Sequence, residues 1–240
     1  MAGSGDRRFD TTRWSLVLAA SDRANPSARE ALDALCRIYW PPIYAYLRRH
    51  GHDPRQAEDL TQGFFLKLLE QGGIGRARAE RGKFRTFLLS SLQNYIADER
   101  DRENALKRGG GTRVLSLDAR EDEEWLVREP AHDESPERLF DRRWAATVIA
   151  RALVRLEQAM TAAVGPERFA ALRPFLSGAQ SGAYAEISRT LGIGESAARV
   201  GVHRMRRQFG ELLRDEVAQT VASASDIEDE LRHLQHIVRA

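Results

Sequence analysis

Apolar residues along the chain recur at intervals of three and four, the spacing that gathers side chains on one face of an α-helix. Thr12 to Ala20 places Trp14, Val17 and Leu18 together, with Asp10 or Thr11 available as a cap. So short a helix needs a partner to dock on. Asn25-Pro26-Ser27 breaks it, and Leu32, Leu35, Cys36 and Tyr39 open a second run that resumes after Pro41-Pro42 with Ile43, Tyr44 and Leu47. In Gly51-His52-Asp53-Pro54, Asp53 is placed as an N-cap and Pro54 at the first helical position. Leu60, Phe64, Phe65 and Leu68 carry the next helix to about Glu70, where Gly72-Gly73 stops it. Beyond a basic, Gly-containing loop, Phe84 to Arg102 reads as a long helix with Phe87, Leu88, Ser91, Leu92, Tyr95 and Ile96 inward.

Gly109-Gly110-Gly111 ends this first group, and residues 112–135 show no helical period. Ser135-Pro136-Glu137 is a second helix start, continued by Leu139, Phe140, Trp144, Val148, Leu153 and Leu156, then by Phe169, Leu172 and Phe175. Tyr184 to Leu191 forms a short helix, Gly192-Ile193-Gly194 turns the chain, and Ala198, Val202, Met205 and Phe209 face inward from the helix that follows. The tail from Ser225 has a capping box (Ser225, Glu228) and an apolar row of Ile227, Leu231, Leu234 and Val238. That row favours folding back on the second domain; the alternative is a docking face for a regulator. No segment alternates with period two, so the expected fold is all-α: two small helical domains joined by an acidic linker. The divisions are an extension over 1–27, a helical domain over 28–108, a linker over 109–135, a helix-turn-helix domain over 136–217 and a tail over 218–240.

Overall charge is nearly balanced, 37 Lys and Arg against 35 Asp and Glu, but its distribution is uneven. From Arg76 to Arg108 nine basic residues face five acidic ones; from Val114 to Asp141 three face ten; from Glu195 to Arg214 five arginines face two glutamates. Two basic segments therefore flank an acidic one, and the near-zero total conceals them. Cys36 is the single cysteine, so no disulfide framework or Cys-based zinc site is expected. The six histidines lack HExxH spacing and no Walker-type phosphate loop is present, which argues against an enzyme and leaves no metal or cofactor to predict. A start of MAGSGDRRFD lacks the core of a signal peptide, and no run is long enough to span a bilayer; the expected setting is cytoplasmic.

The helix-turn-helix pattern carries the sharpest chemistry. Glu195-Ser196-Ala197-Ala198 offers small residues at the entry of a recognition helix, while Arg199, His203, Arg206 and Arg207 stand outward. A surface helix with arginines in its last turns has the same look, because cations there suit the helix dipole. The first domain supplies the second signal. Ala57-Glu58-Asp59-Leu60-Thr61-Gln62-Gly63-Phe64-Phe65-Leu66-Lys67-Leu68 resembles the AEDLxQxxFxxL motif of the extracytoplasmic-function sigma factors of bacterial RNA polymerase. Gly82-Lys83-Phe84-Arg85-Thr86-Phe87-Leu88, followed by Asn94 and Asp98-Glu99-Arg100, resembles that family's GxFxxWLxxIAxNxxxDxxR segment. Tyr184 to Ser188, Leu191-Gly192-Ile193 and His203-Arg204-Met205-Arg206 are similar to its YxEIAxxLGIxxxxVxxxxxRAR. The three motifs stand in family order and cover roughly residues 28–215.

The resemblance implies a sigma-2-like domain over 28–108 and a sigma-4-like domain over 136–217. It implies polymerase binding by Asp59, Gln62, Phe65, Leu66 and Lys67, with the β′ clamp coiled coil and the β subunit of core polymerase as partners. It implies capture and melting of the −10 element by Arg81, Lys83, Phe84, Arg85, Thr86 and Asn94. Reading of the −35 element falls to Arg199, Val200, His203, Arg204, Arg206 and Arg207. Promoter DNA is the ligand, and an anti-sigma factor or other regulator is a further partner the family brings into view. The acidic linker then either imitates nucleic-acid charge in a basic polymerase channel or is simply solvated. Phe87 stands where the family usually has Trp, Gly194 replaces a Ser or Thr cap, and Gly201 falls beside the base-reading positions, marking an altered −35 preference or a closer approach to the groove. Two alternatives remain open: a helix-turn-helix regulator independent of polymerase, and a sigma-like adaptor that binds the clamp without initiating transcription.

Overall fold

In the computed structural model the described residues are 20, 26–70, 83–107, 134–177, 183–221 and 224–239. The Thr12 to Ala20 helix except Ala20, almost all of the acidic linker and Arg81 lie outside them. The described chain is α-helical with no strand among those residues: α1 (Ala28–Arg49), α2 (Pro54–Glu70), α3 (Phe84–Lys107), α4 (Pro136–Val164), α5 (Pro166–Leu172), a 3₁₀ turn (Arg173–Leu176), α6 (Ala183–Leu191), α7 (Glu195–Ala218) and α8 (Ala224–Arg239).

Helix starts follow the sequence signals. Asp53 Oδ1 accepts from the Gln56 backbone N–H at 2.9 Å while Gln56 Oε1 accepts from the Asp53 N–H at 3.3 Å, a reciprocal box worth about 1 kcal/mol. Ser135 Oγ accepts from the Arg138 N–H at 3.3 Å at the head of α4. Pro41 and Pro42 both lie inside α1, which runs through them as one helix.

The chain divides into two compact units, the first comprising Met1–Thr147 with Ala218–Ala240, the second Val148–Val217. In the first, Tyr39, Ile43 and Leu47 of α1, Ala57 and Phe64 of α2, and Phe84, Leu88 and Leu92 of α3 build one core, which Phe140 and Trp144 from the start of α4 complete. Aromatic edges lock the layers: Tyr39 meets Phe84 edge-on at 5.4 Å and Tyr46 meets Phe140 at 6.5 Å. In the second unit Leu156 and Met160 of α4 pack with Phe169, Leu172, Phe175, Ile187, Ala198, Val202 and Met205. Glu216 is buried there, but Arg151 Nε and Arg155 Nη1 each reach it at 2.8 Å, so the carboxylate keeps charged partners.

The tail departs from expectation. Its helix belongs to the first unit and not to the second domain, with Ile227 and Leu234 buried. The reason is polar as well as apolar: Glu230, one turn from each of those residues, is 1% exposed and pairs with cations of the first unit.

Candidate polymerase and nucleic-acid interfaces

On α2, Asp59, Gln62 and Leu66 are exposed at spacings of three and four, forming a single outward stripe. Leu66 is 56% exposed, a large apolar side chain between polar neighbours. Phe65, expected on this face, is instead buried and stacks on Trp40 with centroids 6.0 Å apart. An aromatic next to the stripe finds a better partner in α1, which leaves Leu66 as the exposed apolar side chain of the stripe. Lys67 is half-buried; its Nζ donates to Asp98 of α3 at 2.7 Å and lies over the Tyr95 ring at 5.2 Å. The hydrogen bond and charge of Lys67 lower the Asp98 pKa from its ordinary value. Gly63 sits under the same ring: a Cβ there would stand 2.4 Å from Tyr95 Oη.

The segment expected to handle the −10 element splits in two. Thr86 and Asn94 are exposed on α3. Phe84 is 1% exposed and belongs to the core, packed against Tyr39 and stacked at 5.9 Å on Phe87. Arg85 and Lys83 are already engaged. Arg85 Nε and Nη2 reach Glu230 Oε1 and Oε2 at 3.3 and 3.2 Å, Nη1 donates to Asp141 Oδ1, and the guanidinium lies 5.1 Å from the Trp144 ring centre. Lys83 Nζ adds a contact to Glu230 Oε2 at 3.4 Å, and Asp141 Oδ2 also meets His233 Nε2 at 3.0 Å. Burial works against the charge of Arg85, but Glu230 and Asp141 outweigh it and raise its pKa above the ordinary value. Thus the expectation of Arg85 as a free phosphate donor is corrected: its donors are spent on two carboxylates.

Among the exposed residues of α3, Gln93 was not singled out by its sequence, yet its Nε2 donates to Tyr46 Oη at 3.2 Å. Glu230 and Asp141 were likewise missed. The signal for Glu230 was present, since it occupies a position within the apolar face of the tail, three residues after Ile227 and four before Leu234.

In the second unit the turn between α6 and α7 has the expected chemistry. Gly192 adopts φ +63°, the left-handed region that a side chain disfavours, and the Ile193 N–H donates to Ser188 C=O at 3.1 Å. Ser188 Oγ also bonds the Ile193 carbonyl. On α7, Arg199, Val200, His203, Arg204, Arg206 and Arg207 are all exposed while Ala198, Val202 and Met205 are buried. Arg199 lies over the Tyr184 ring at 4.9 Å and near Glu195 at 3.7 Å; Arg207 is 3.5 Å from Glu211. Arg206 differs from its neighbours, because Nε and Nη2 both donate to the Phe175 carbonyl, at 2.9 and 2.7 Å. Its head group fixes the 3₁₀ turn. Gly201 is half-buried and faces Leu172, whose methyl carbons would be 3.7 and 3.8 Å from a Cβ placed on it. It therefore opens toward α5 and not toward a groove-facing surface.

Among the described residues no group of His, Cys, Asp and Glu could hold a metal ion, and no helix is long and apolar enough to cross a membrane. Described residues that are helical, with an exposed stripe of polar and apolar side chains on one unit and a cationic helix-turn-helix on the other, have the parts of a transcription-initiation factor. Comparison with known proteins agrees: the sigma-70 region 2 profile matches residues 35–105. An ECF RNA polymerase sigma factor, SigE of Mycolicibacterium smegmatis, is 28% identical over 216 residues, covering 90% of this chain and 73% of that protein. The chain is thus similar to sigma-70 region 2 over residues 35–105 and to an extracytoplasmic-function sigma factor over most of its length. No solved structure matches it.

Proposed function

We propose that the chain binds core RNA polymerase through the α2 stripe of Asp59, Gln62 and Leu66, reads a −35 element with α7, and opens and holds a −10 element with the first unit. The single observation that carries this is the pairing of two separate surfaces in one chain. An exposed leucine at 56% between polar residues fits a protein partner, and four outward positively charged or imidazole side chains, Arg199, His203, Arg204 and Arg207, on the second helix of a helix-turn-helix fit duplex DNA. A regulator of duplex DNA alone has no use for the first surface. By the same reading the α2 stripe engages the β′ clamp, the −35 unit lies by the β subunit, the protein works in the cytoplasm and it has no catalytic activity of its own.

Within α7 the roles divide. Arg199, held by Tyr184 and Glu195, suits a bidentate guanine contact, worth about 1–3 kcal/mol of discrimination. His203, Arg204 and Arg207 suit phosphate or base contacts on the outer face, with Val200 for apolar contact to a thymine methyl. Thr86 and Asn94 on α3 are the first-unit residues whose exposure fits contact with a separated strand. The test is reconstitution: purified chain plus core polymerase and a genomic template pool, read by start-site sequencing. Promoter-specific RNA is expected. Core binding without specific starts would make the chain an adaptor, and DNA binding without core binding would make it a conventional regulator.

A further inference from the structure

We propose that the Glu230 carboxylate occupies on Lys83 and Arg85 the place of a promoter-strand phosphate, so that α8 and the melted strand compete for one face of the first unit. This rests on the reading of that unit as the −10 domain. The geometry of the site is that of an anion cradle. Arg85 presents its Nε and Nη2 side to both oxygens of one carboxylate at 3.3 and 3.2 Å, the two-pronged arrangement that guanidinium groups use for carboxylate and phosphate alike. Lys83 adds a second cation to the same oxygen at 3.4 Å, and the Trp144 ring backs the guanidinium. The occupant is one acidic residue on the C-terminal helix, and it is 1% exposed.

Charge accounting gives the direction of the competition. Lys83 and Arg85 are balanced by Glu230 and Asp141 while α8 is in place. Lifting α8 away removes Glu230 and leaves two cations against Asp141 alone, a net positive site at the start of α3, directly after the basic segment that carries Arg76, Arg78 and Arg81 in the sequence. A single phosphate restores the balance. The other contacts of α8 set how firmly the cover is held: Ile227 and Leu234 are buried, and His233 meets Asp141. Asp141 and Trp144, which hold Arg85 from the α4 side, stay when α8 leaves, so the cradle keeps its orientation.

The test uses the full chain and a fluorescent single-stranded DNA 20-mer of mixed sequence, read by anisotropy across a salt series. Glu230→Gln keeps the side-chain shape and a hydrogen-bond acceptor but removes the competing charge. It is expected to bind the strand roughly tenfold more tightly than the unsubstituted chain. Its salt dependence should be steeper by about 0.7 to 1.4, one or two more phosphates contacted. The gain should vanish in the Arg85→Gln, Glu230→Gln pair. A second measurement needs no substitution: adding the same oligonucleotide to the unsubstituted chain should speed amide hydrogen exchange in residues 224–239. Unchanged or weaker binding by a folded Glu230→Gln chain, a gain that survives in the double variant, or exchange in 224–239 that stays the same or slows would each overturn the proposal. The transcription assay is independent: if the unsubstituted chain yields no promoter-specific RNA with core polymerase, the sigma reading fails whatever the oligonucleotide does.

Discussion

Gly201→Ala is expected to stabilise the helix-turn-helix unit without altering the exposed α7 face proposed to contact DNA. Gly201 lies in the interior of α7 with an ordinary helical backbone, so it bears the entropic cost of glycine with no left-handed turn to justify it. An alanine methyl would meet the Leu172 methyl carbons at 3.7 and 3.8 Å, ordinary van der Waals contact that requires no movement. The helix-propensity gain is about 0.5–1 kcal/mol, with a smaller addition from the new contact. For a unit the size of Val148–Val217 this corresponds to a rise in its melting temperature of roughly 2–8 °C. Differential scanning calorimetry reads the shift, and run-off transcription by the reconstituted holoenzyme reads promoter use. If melting falls, the packing against Leu172 is misjudged. If melting rises but promoter-specific transcription is lost, Gly201 lies at the DNA surface after all and its orientation toward α5 is wrong.

Other substitutions test other joints. Gly63→Ala forces a methyl to 2.4 Å from Tyr95 Oη and should cost about 1–3 kcal/mol in chemical denaturation; Tyr95→Phe in the same chain removes the clashing oxygen and should recover most of it, since the next ring atom is at 3.5 Å. Arg85→Ala leaves Glu230 with Lys83 and Asp141 with His233 as their remaining partners and should destabilise the first unit by about 1–3 kcal/mol, seen as an earlier urea midpoint; an unchanged midpoint would mean that the cluster contributes nothing. Arg206→Ala should lower stability by about 1–2 kcal/mol by freeing the Phe175 carbonyl, whereas Arg207→Ala should leave stability intact and weaken holoenzyme use of −35 promoters. Cys36, its thiol pushed up to about 11 first by burial and then by Asp33, carries little thiolate below that pH; iodoacetamide at pH 8 should alkylate it at least a hundredfold more slowly than free cysteine, and a rate near that of free cysteine would refute the burial.

Helix positions were legible in the sequence because their signals are local. Asp53 with Gln56 and Ser135 with Pro136 act within one turn, and the three-and-four spacing of Leu35 with Tyr39 or Val202 with Met205 needs only its own helix to be read. For Phe65 and Arg85 the deciding contacts are distant in sequence. Whether Phe65 points out or in depends on Trp40, and whether Arg85 is free depends on Glu230, 145 residues further on. The same holds for Arg206, whose partner is a backbone carbonyl 31 residues away and leaves no trace in side-chain pattern. Family resemblance places a residue at a motif position; it says nothing of a tail that brings its own acid to that position. The apolar row of the tail identified the helix but not its partner, since any apolar surface would satisfy Ile227 and Leu234, while only a cationic pocket satisfies Glu230 between them.

The return of the chain to the first unit at Ala218 changes what can be exchanged between proteins of this kind. A reader domain at the end of a chain can be swapped at one junction, as a cassette. Here residues 148–217 are spliced into their host, with both joints inside helices, α4 and α7. A chimaera that grafts a foreign −35 reader after residue 135 would carry away Phe140 and Trp144 at one seam and α8 at the other, leaving the recipient without part of its own core. If the α7 face reads promoters as proposed, altering that choice by recombination in such a chain needs two matched crossovers, and point changes on the outer face of α7 are the easier route.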